Sequence, residues 1–307
     1  MIVAVCSLGG APGVTSLATA LAAAWPSSPV TVPVLVEADA SGGDLAAWHG
    51  IDLHDSPAGV VSLAAASRTP VPVSLPADVW AEAGVEGASS AHAPLVNHAV
   101  ELPGGLRVVP APADPLEAGR AVDVLAHNPS LLRTGRVSVV DVGRAVPGSA
   151  GALLVRHADV VVVLTQAGDV GHAARLRACA PILASLREEG ARVGLAITGP
   201  CPHSDGEVSK VASGLPVWAR IPHDPTGAGL VQGEYRPPAR LRDRLAAWWS
   251  ERRDPDSLEW MPLIKAAKSL AELCDDFSGL GLSHEEQKEQ DLGMSKEQRD
   301  STVVNIA

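Results

Sequence analysis

The chain has 307 residues, of which 46% are hydrophobic and 19% are charged, and its formal net charge at pH 7 is −11. This length allows one large α/β domain with an appendage, or two small domains. The acidic balance argues against broad nonspecific DNA binding, although a local basic stripe would be compatible with it. No apolar run approaches the ~18 residues that a membrane-spanning helix needs.

The N-terminal residues and the cysteines indicate the compartment. The opening stretch MIVAVCSLGG has no basic region ahead of its apolar run, so it lacks the features of a signal peptide. The cysteines are scattered without paired spacing, at Cys6, Cys179, Cys201 and Cys274. Such a distribution is typical of reduced thiols in a cytosolic protein and does not predict a metal site. We therefore expect a cytoplasmic protein.

Apolar runs and helical stretches alternate along most of the chain. Buried strands are predicted in MIVAVCSL, VPVLVEAD, GLRVVPAP, VSVVDVG, ADVVVVLTQ, RVGLAITG and LPVWARIP. Helices are predicted in TSLATALAAAW, GGDLAAWHG, DPLEAGRAVDVLAHN, GSAGALLVRH, GDVGHAARLRACAPILASLREEG and RPPARLRDRLAAWWSERR. Residues 55–105 are poorly periodic, and we expect helices joined by long loops there. The alternation predicts a doubly wound, mainly parallel sheet of about seven strands with helices on both faces.

The character of the sequence changes near residue 254. We assign residues 1–253 to the α/β domain, 254–282 to a C-terminal helical extension, and 283–307 to a charged, disordered tail. The extension carries an apolar stripe that either packs onto the main domain or contacts a partner, formed by Trp260, Leu263, Ile264, Leu270 and Leu273.

The turn between the first strand and the first helix has the composition of a phosphate-binding loop. In such a loop, glycines let backbone N–H groups wrap the phosphates, a lysine neutralises them, and a hydroxyl binds Mg²⁺. The candidate nucleotide-binding residues are Gly10, Ala11, Pro12, Gly13, Val14, Thr15 and Ser16. The lysine is missing, because Val14 occupies its position and the first lysine of the chain is Lys210.

Acidic residues follow two of the predicted strands. Glu37 and Asp39 come at the end of the second strand, and Asp141 lies at the end of VSVVDVG. Mg²⁺-binding carboxylates of phosphoryl-transfer enzymes occupy such places. Each acid alone is equally well explained as a cap of a helix or turn, but their order after a glycine-rich loop favours a nucleotide site. The candidate Mg²⁺ ligands are Thr15, Asp39 and Asp141, and Asp39 is also the candidate catalytic residue.

With these motifs the chain resembles the MinD/ParA-like family of P-loop ATPases over about residues 1–250. The family carries one lysine near the start of its deviant loop and another before the hydroxyl, and here these positions hold Gly9 and Val14. Its acid pair matches Glu37 and Asp39, and LPVWARIPHDPTGAGLVQGE is similar to its late strand and adenine-side loop. The resemblance implies a P-loop NTPase-like fold, with this chain as a degenerate member.

The missing lysines affect the cofactor that the resemblance implies. That cofactor is ATP or ADP with Mg²⁺, bound weakly here, or else none. A charge-assisted hydrogen bond contributes about 1.5–3 kcal/mol, so losing two lysines predicts an affinity lower by on the order of 10² to 10⁴-fold. Efficient hydrolysis is not expected, since the family's first lysine acts across an ATP-clamped dimer and Gly9 has no side chain to do so.

Three functions are weighed. The first is a spatial regulator or scaffold for partition, cell division or secretion-machinery positioning, with a protein partner and with homodimerisation left open. The sequence has no strong DNA-binding signature, and no terminal basic amphipathic helix marks a membrane anchor. The second is an active ATPase whose cation comes from Arg144, Arg120 or a partner chain. A small-molecule enzyme ranks last, because none of the 10 histidines has triad or metal-ligand spacing.

Overall fold

A computed structural model of the protein describes residues 1–10, 13–26, 33–53, 58–67, 95–133, 137–234, 258 and 260–277. The strands are β1 (Ile2–Ser7), β2 (Val34–Glu37), β3 (Val100–Glu101), β4 (Arg107–Val109), β5 (Ser138–Arg144), β6 (Val160–Thr165), β7 (Arg192–Thr198) and β8 (Val217–Ile221). They form one eight-stranded sheet in the order β3-β4-β2-β5-β1-β6-β7-β8. Every neighbouring pair is parallel except β3 and β4.

Helices connect the strands and cover the sheet. They are α1 (Val14–Ala23), α2 (Leu45–Trp48), α3 (Val60–Ala66), α4 (Pro115–His127), α5 (Ala150–Arg156), α6 (Val170–Glu188), α7 (Asp205–Val211), α8 (Pro225–Val231) and α9 (Pro262–Asp276). Short 3₁₀ turns occupy Leu95–His98 and Pro129–Leu132. The predicted helix over 236–253 and the predicted tail over 283–307 lie outside the described residues. No helix in the described part of the chain is long and apolar enough to cross a membrane.

The central strand shows why the sheet must be covered on both sides. All six residues of β1 are buried. Ile2, Ala4 and Cys6 belong to one hydrophobic core cluster, and Val3 and Val5 belong to the other. Because successive side chains of a strand point to opposite faces, a continuous apolar run requires a core on each face. The predicted doubly wound, mainly parallel sheet is therefore confirmed.

The sequence reading missed three short elements. Strand β3 lies within 55–105, where only helices and loops were expected, and two residues of antiparallel edge strand are too few to carry a period. Helices α7 and α8, of seven residues each, were also not predicted. The segment assigned to a late strand and loop thus forms β8 followed by a helix. Such short helices depend on their caps, and a reciprocal capping box of Ser204 and Glu207 starts α7.

Helix α9 packs onto the main domain. Leu263, Ile264 and Leu270 are buried, whereas Trp260 and Leu273 are partly buried against the same cluster. The apolar face of α9 lies against α1 and β8. Of the two alternatives for this stripe, packing onto the domain is the one observed.

Asp224 forms hydrogen bonds that link α9 to α8. Its Oδ1 accepts a hydrogen bond from the Gly227 N–H (2.9 Å), which caps α8, and its Oδ2 accepts one from the Leu263 N–H (3.0 Å) in the first turn of α9. One carboxylate therefore satisfies backbone donors at the start of two helices, which otherwise lack intrahelical partners.

We predict that Leu270→Ala lowers the free energy of unfolding by about 2–5 kcal/mol, because it leaves a cavity under α9. Leu270 is 1% exposed. Urea denaturation followed by circular dichroism measures the change, with the exposed neighbour Ser269→Ala as control. Equal stability of the two variants would show that α9 is not held against the domain.

Candidate functional site

The loop between β1 and α1 has glycines in the left-handed conformation at two of its described positions. Gly10 and Gly13 have φ of 35° and 89°, in the left-handed region that glycine tolerates and other residues adopt with strain. No side chain caps the N-terminus of α1, and its first turn contains no acidic residue. The partial positive charge of this helix end is therefore available to an anion. Ala11 and Pro12 lie outside the described residues.

Val14, at the lysine position, is a core residue. Its side chain is 1% exposed and belongs to the hydrophobic cluster that contains Leu17 and Val5. The next two residues, Thr15 and Ser16, are half-buried. The loop therefore has no cation at this position, and the side chain there packs in the hydrophobic core.

Asp141 brings a fully buried carboxyl group to the edge of the sheet beside this loop. Its Oδ1 accepts a hydrogen bond from the Gly143 N–H (2.9 Å), while Oδ2 is buried without a hydrogen-bond partner in the described structure. Burial raises the pKa of Asp141 to about 7, and the nearby charges of Glu37 and Asp39 also raise it. The Thr15 hydroxyl and the Gly143 amide act in the opposite direction. An unpartnered carboxylate oxygen beside a hydroxyl is suited to a hard cation such as Mg²⁺.

The Asp39 carboxylate lies beside Gly143 and close to Asp141. A Cβ on Gly143 would overlap the Asp39 carboxylate, and Gly143 also has a left-handed φ of 61°. The Asp39 Oδ1 accepts a hydrogen bond from the Ser41 N–H (2.8 Å), which fixes the turn after β2. The structure therefore brings Thr15, Asp39 and Asp141 together at the carboxyl ends of β2 and β5.

Glu37 has a different environment from Asp39, although the two match one acid pair in the resemblance. Its side chain accepts three backbone hydrogen bonds, from the N–H groups of Asp44 (2.7 Å), Leu45 (3.0 Å) and Ala111 (2.8 Å). Burial raises the pKa of Glu37, and these three bonds oppose the increase. This carboxyl group ties β2 to the start of α2 and to the segment after β4, so its contacts are structural.

The structure also brings to the loop two side chains that the sequence reading did not single out. A Cβ on Gly9 would lie 2.8 Å from Nε and 3.0 Å from Cζ of Arg175, and a Cβ on Gly10 would lie 3.8 Å from Nε2 of His172. Both residues belong to the N-terminal half of α6. No local motif in α6 indicates this contact, because it arises from tertiary packing that brings α6, which lies against β7 and β6, next to the loop after β1.

The two arginines proposed earlier as substitute cations occupy other positions. Arg144 is exposed at the end of β5. Arg120 is exposed on α4 and lines a groove together with Asp114 and Glu117.

The described residues do not enclose a metal ion by themselves. Within the described ranges, no three His, Cys, Asp or Glu side chains come together as a metal-binding group. Mg²⁺ in proteins commonly uses one or two carboxylates, with waters and substrate phosphates as its other ligands. The donor set of Thr15, Asp39 and Asp141 fits that pattern.

Comparison with known proteins confirms the fold. No family model and no curated protein match the chain. Among solved structures, MinD from Pyrococcus horikoshii in complex with Mg-ADP has a TM-score of 0.59 at 15% identity, over 92% of this chain and 98% of that one. A ParA family ATPase from Chlorobium tepidum has a TM-score of 0.56 at 16% identity, over 88% and 97% of the two chains. The cell division ATPase MinD from Pyrococcus furiosus gives 0.57 at 15%, over 90% and 98%.

These structures share the fold of this chain along nearly their whole lengths. The resemblance to MinD/ParA-like P-loop ATPases inferred from the loop and the strand-end acids is thus confirmed at the level of the fold. The roles of individual site residues are not established by similarity at these identities.

We predict that Asp141 contributes a fall in the free energy of unfolding of the metal-free protein as the pH rises from about 4 to about 7. In this window folded Asp141 keeps a proton that the unfolded chain releases, since its pKa rises from 3.8 to about 7 on folding. In Asp141→Asn this fall should shrink by at most about 4 kcal/mol, at about 1.4 kcal/mol per pKa unit. Urea titrations at several pH values in EDTA measure it, and parallel pH profiles of the two proteins would contradict the assignment.

Proposed function

We propose that this protein is a degenerate MinD/ParA-like regulator that binds Mg²⁺–nucleotide weakly and acts as a positioning scaffold. The settings to be tested are partition, cell division and the placement of secretion machinery. The observation that carries the proposal is a phosphate-loop backbone facing Asp39 and Asp141, with a buried valine in place of the lysine. The fold shared with MinD and ParA ATPases supports the same conclusion.

The residues present fit a nucleotide with its metal ion in part. Backbone N–H groups of the loop and the N-terminus of α1 would hold the phosphates, and Thr15, Asp39 and Asp141 would hold Mg²⁺ through oxygen. Bound nucleotide would supply a polyphosphate that joins the loop to the strand-end acids. The missing lysines weaken this site and remove the charge that hydrolysis depends on most.

Replacing Val14 with lysine would not by itself restore an ordinary phosphate loop. A lysine at position 14 would begin from a backbone position whose side chain now lies in the core. Unless its ammonium group reaches the loop, it would be an unpaired buried charge, which costs several kcal/mol. The degeneracy thus involves packing as well as charge.

We predict that Val14→Lys is less stable than Val14→Met without nucleotide and is stabilised more by Mg²⁺–ATP. The methionine control has a long apolar side chain, so the comparison isolates the charge. Thermal melts with and without Mg²⁺–ATP, together with calorimetric titration of the wild type, provide the measurement. Tight binding by the wild type would contradict the weak-binding part of the proposal, and a measurable steady-state ATPase rate would favour the active enzyme.

We predict that a fluorescent fusion of the full chain concentrates at discrete positions in its native cells. A scaffold is held by a partner, so this pattern should persist in Asp141→Asn, which alters the Mg²⁺ site. Imaging of the wild-type and Asp141→Asn fusions at equal expression tests the positioning role. A uniform distribution of the wild type would argue against a spatial regulator.

A further inference from the structure

The side chain of Arg175, on α6, lies against the loop at Gly9, the position of the missing first lysine. Gly9 is buried, and the Cβ that it lacks would overlap the stem of Arg175 and lie 2.8 Å from its Nε. The φ of Gly9 is not in the left-handed region, so the backbone does not require glycine there. Space is the requirement, because any side chain at position 9 would displace Arg175.

The Arg175 guanidinium is not neutralised by a neighbouring acid. The Asp169 carboxylate lies on the same side of Gly171, where a Cβ would be 3.2 Å from Oδ1 of Asp169 and 3.6 Å from Nη1 of Arg175. That same Oδ1 accepts a hydrogen bond from the His172 N–H (2.9 Å) as the cap of α6. No salt bridge involves Arg175 in the described part of the chain. The guanidinium is therefore available to an anion.

A second observation points to a ligand at this loop. The Asp141 Oδ2 is fully buried, has no hydrogen-bond partner in the described structure, and lies near Thr15. A cation held there needs further oxygen ligands, which the phosphates of a nucleotide provide. Phosphates bound at this loop would carry more negative charge than the cation neutralises, and a positive side chain beside the loop would balance it.

We propose that Arg175 is the phosphate-binding cation of this site, supplied by α6 in place of the loop lysines. The inference rests on the proposed nucleotide site and assigns it a residue on a different element. Arginine suits the role because its planar guanidinium donates two parallel hydrogen bonds to a phosphate. The loss of lysine at position 9 and the presence of Arg175 are then a single replacement, since both side chains need the same space.

The test compares two arginines on one helix. Arg175→Ala should weaken binding of Mg²⁺–ATP about 10- to 100-fold, the value of one charge-assisted hydrogen bond, and should also weaken binding of inorganic tripolyphosphate. Arg175 and Arg177 are both exposed, but only Arg175 lies against Gly9, so Arg177→Ala should change both affinities by less than about 2-fold. Arg175→Lys should recover part of the loss, and the dependence of affinity on salt should decrease only in Arg175→Ala.

A second variant displaces the Arg175 side chain without removing it. Gly9→Ala should push the arginine stem away and weaken tripolyphosphate binding in the wild-type background. In the Arg175→Ala background the same change should have no further effect, which a double-mutant cycle measures by calorimetry. Circular dichroism melts verify that each variant is folded.

Two results would overturn the inference. Equal affinities of Arg175→Ala and Arg177→Ala, with binding by the wild type intact, would leave a nucleotide site that does not use Arg175. Absence of binding of both probes by the wild type would reject Arg175 as a phosphate ligand, while a scaffold role would still be judged by the cellular imaging.

Discussion

The burial of carboxyl groups at the carboxyl ends of β2 and β5 is the constraint on which the candidate site depends. Glu37 meets it with three backbone hydrogen bonds, whereas Asp141 has one oxygen bonded and the other unpartnered among the described residues. A buried ionised group without a partner is unstable by several kcal/mol, so Asp141 either keeps a proton or meets a cation. The same sheet edge therefore contains a structural acid and an acid suited to a ligand.

The sequence predicted those features whose causes are local. Continuous apolar runs identified the central strands, because a strand covered on both faces has apolar side chains on both of them. The loop and Asp141 followed from their places at strand ends. The contact of Arg175 with Gly9 was not predictable, since it depends on how α6 packs against β6 and β7 and so reaches the loop after β1. The different environments of Glu37 and Asp39 were also not predictable from the sequence, because one hydrogen-bond partner of Glu37 is Ala111, on a distant segment.

The loop differs from an ordinary phosphate loop in its packing as well as in its charge. Val14 is part of the core, and Gly9 makes room for a side chain from another helix. The loop nevertheless has a left-handed backbone at Gly10 and Gly13, a conformation that other residues adopt only with strain. At this site left-handed glycines therefore occur together with a buried apolar side chain at the lysine position.

Placing the cation on α6 changes what nucleotide binding would depend on. Arg175 precedes Leu176, which is 1% exposed in the hydrophobic core, so the backbone that carries the guanidinium is held by packing. An arginine side chain loses up to about 2 kcal/mol of rotamer entropy when it is fixed, and an anchored backbone reduces the further cost of positioning it. A loop lysine moves with the loop, whereas Arg175 moves with α6. Phosphate binding would therefore oppose any shift of α6 that carries Arg175 away from Gly9.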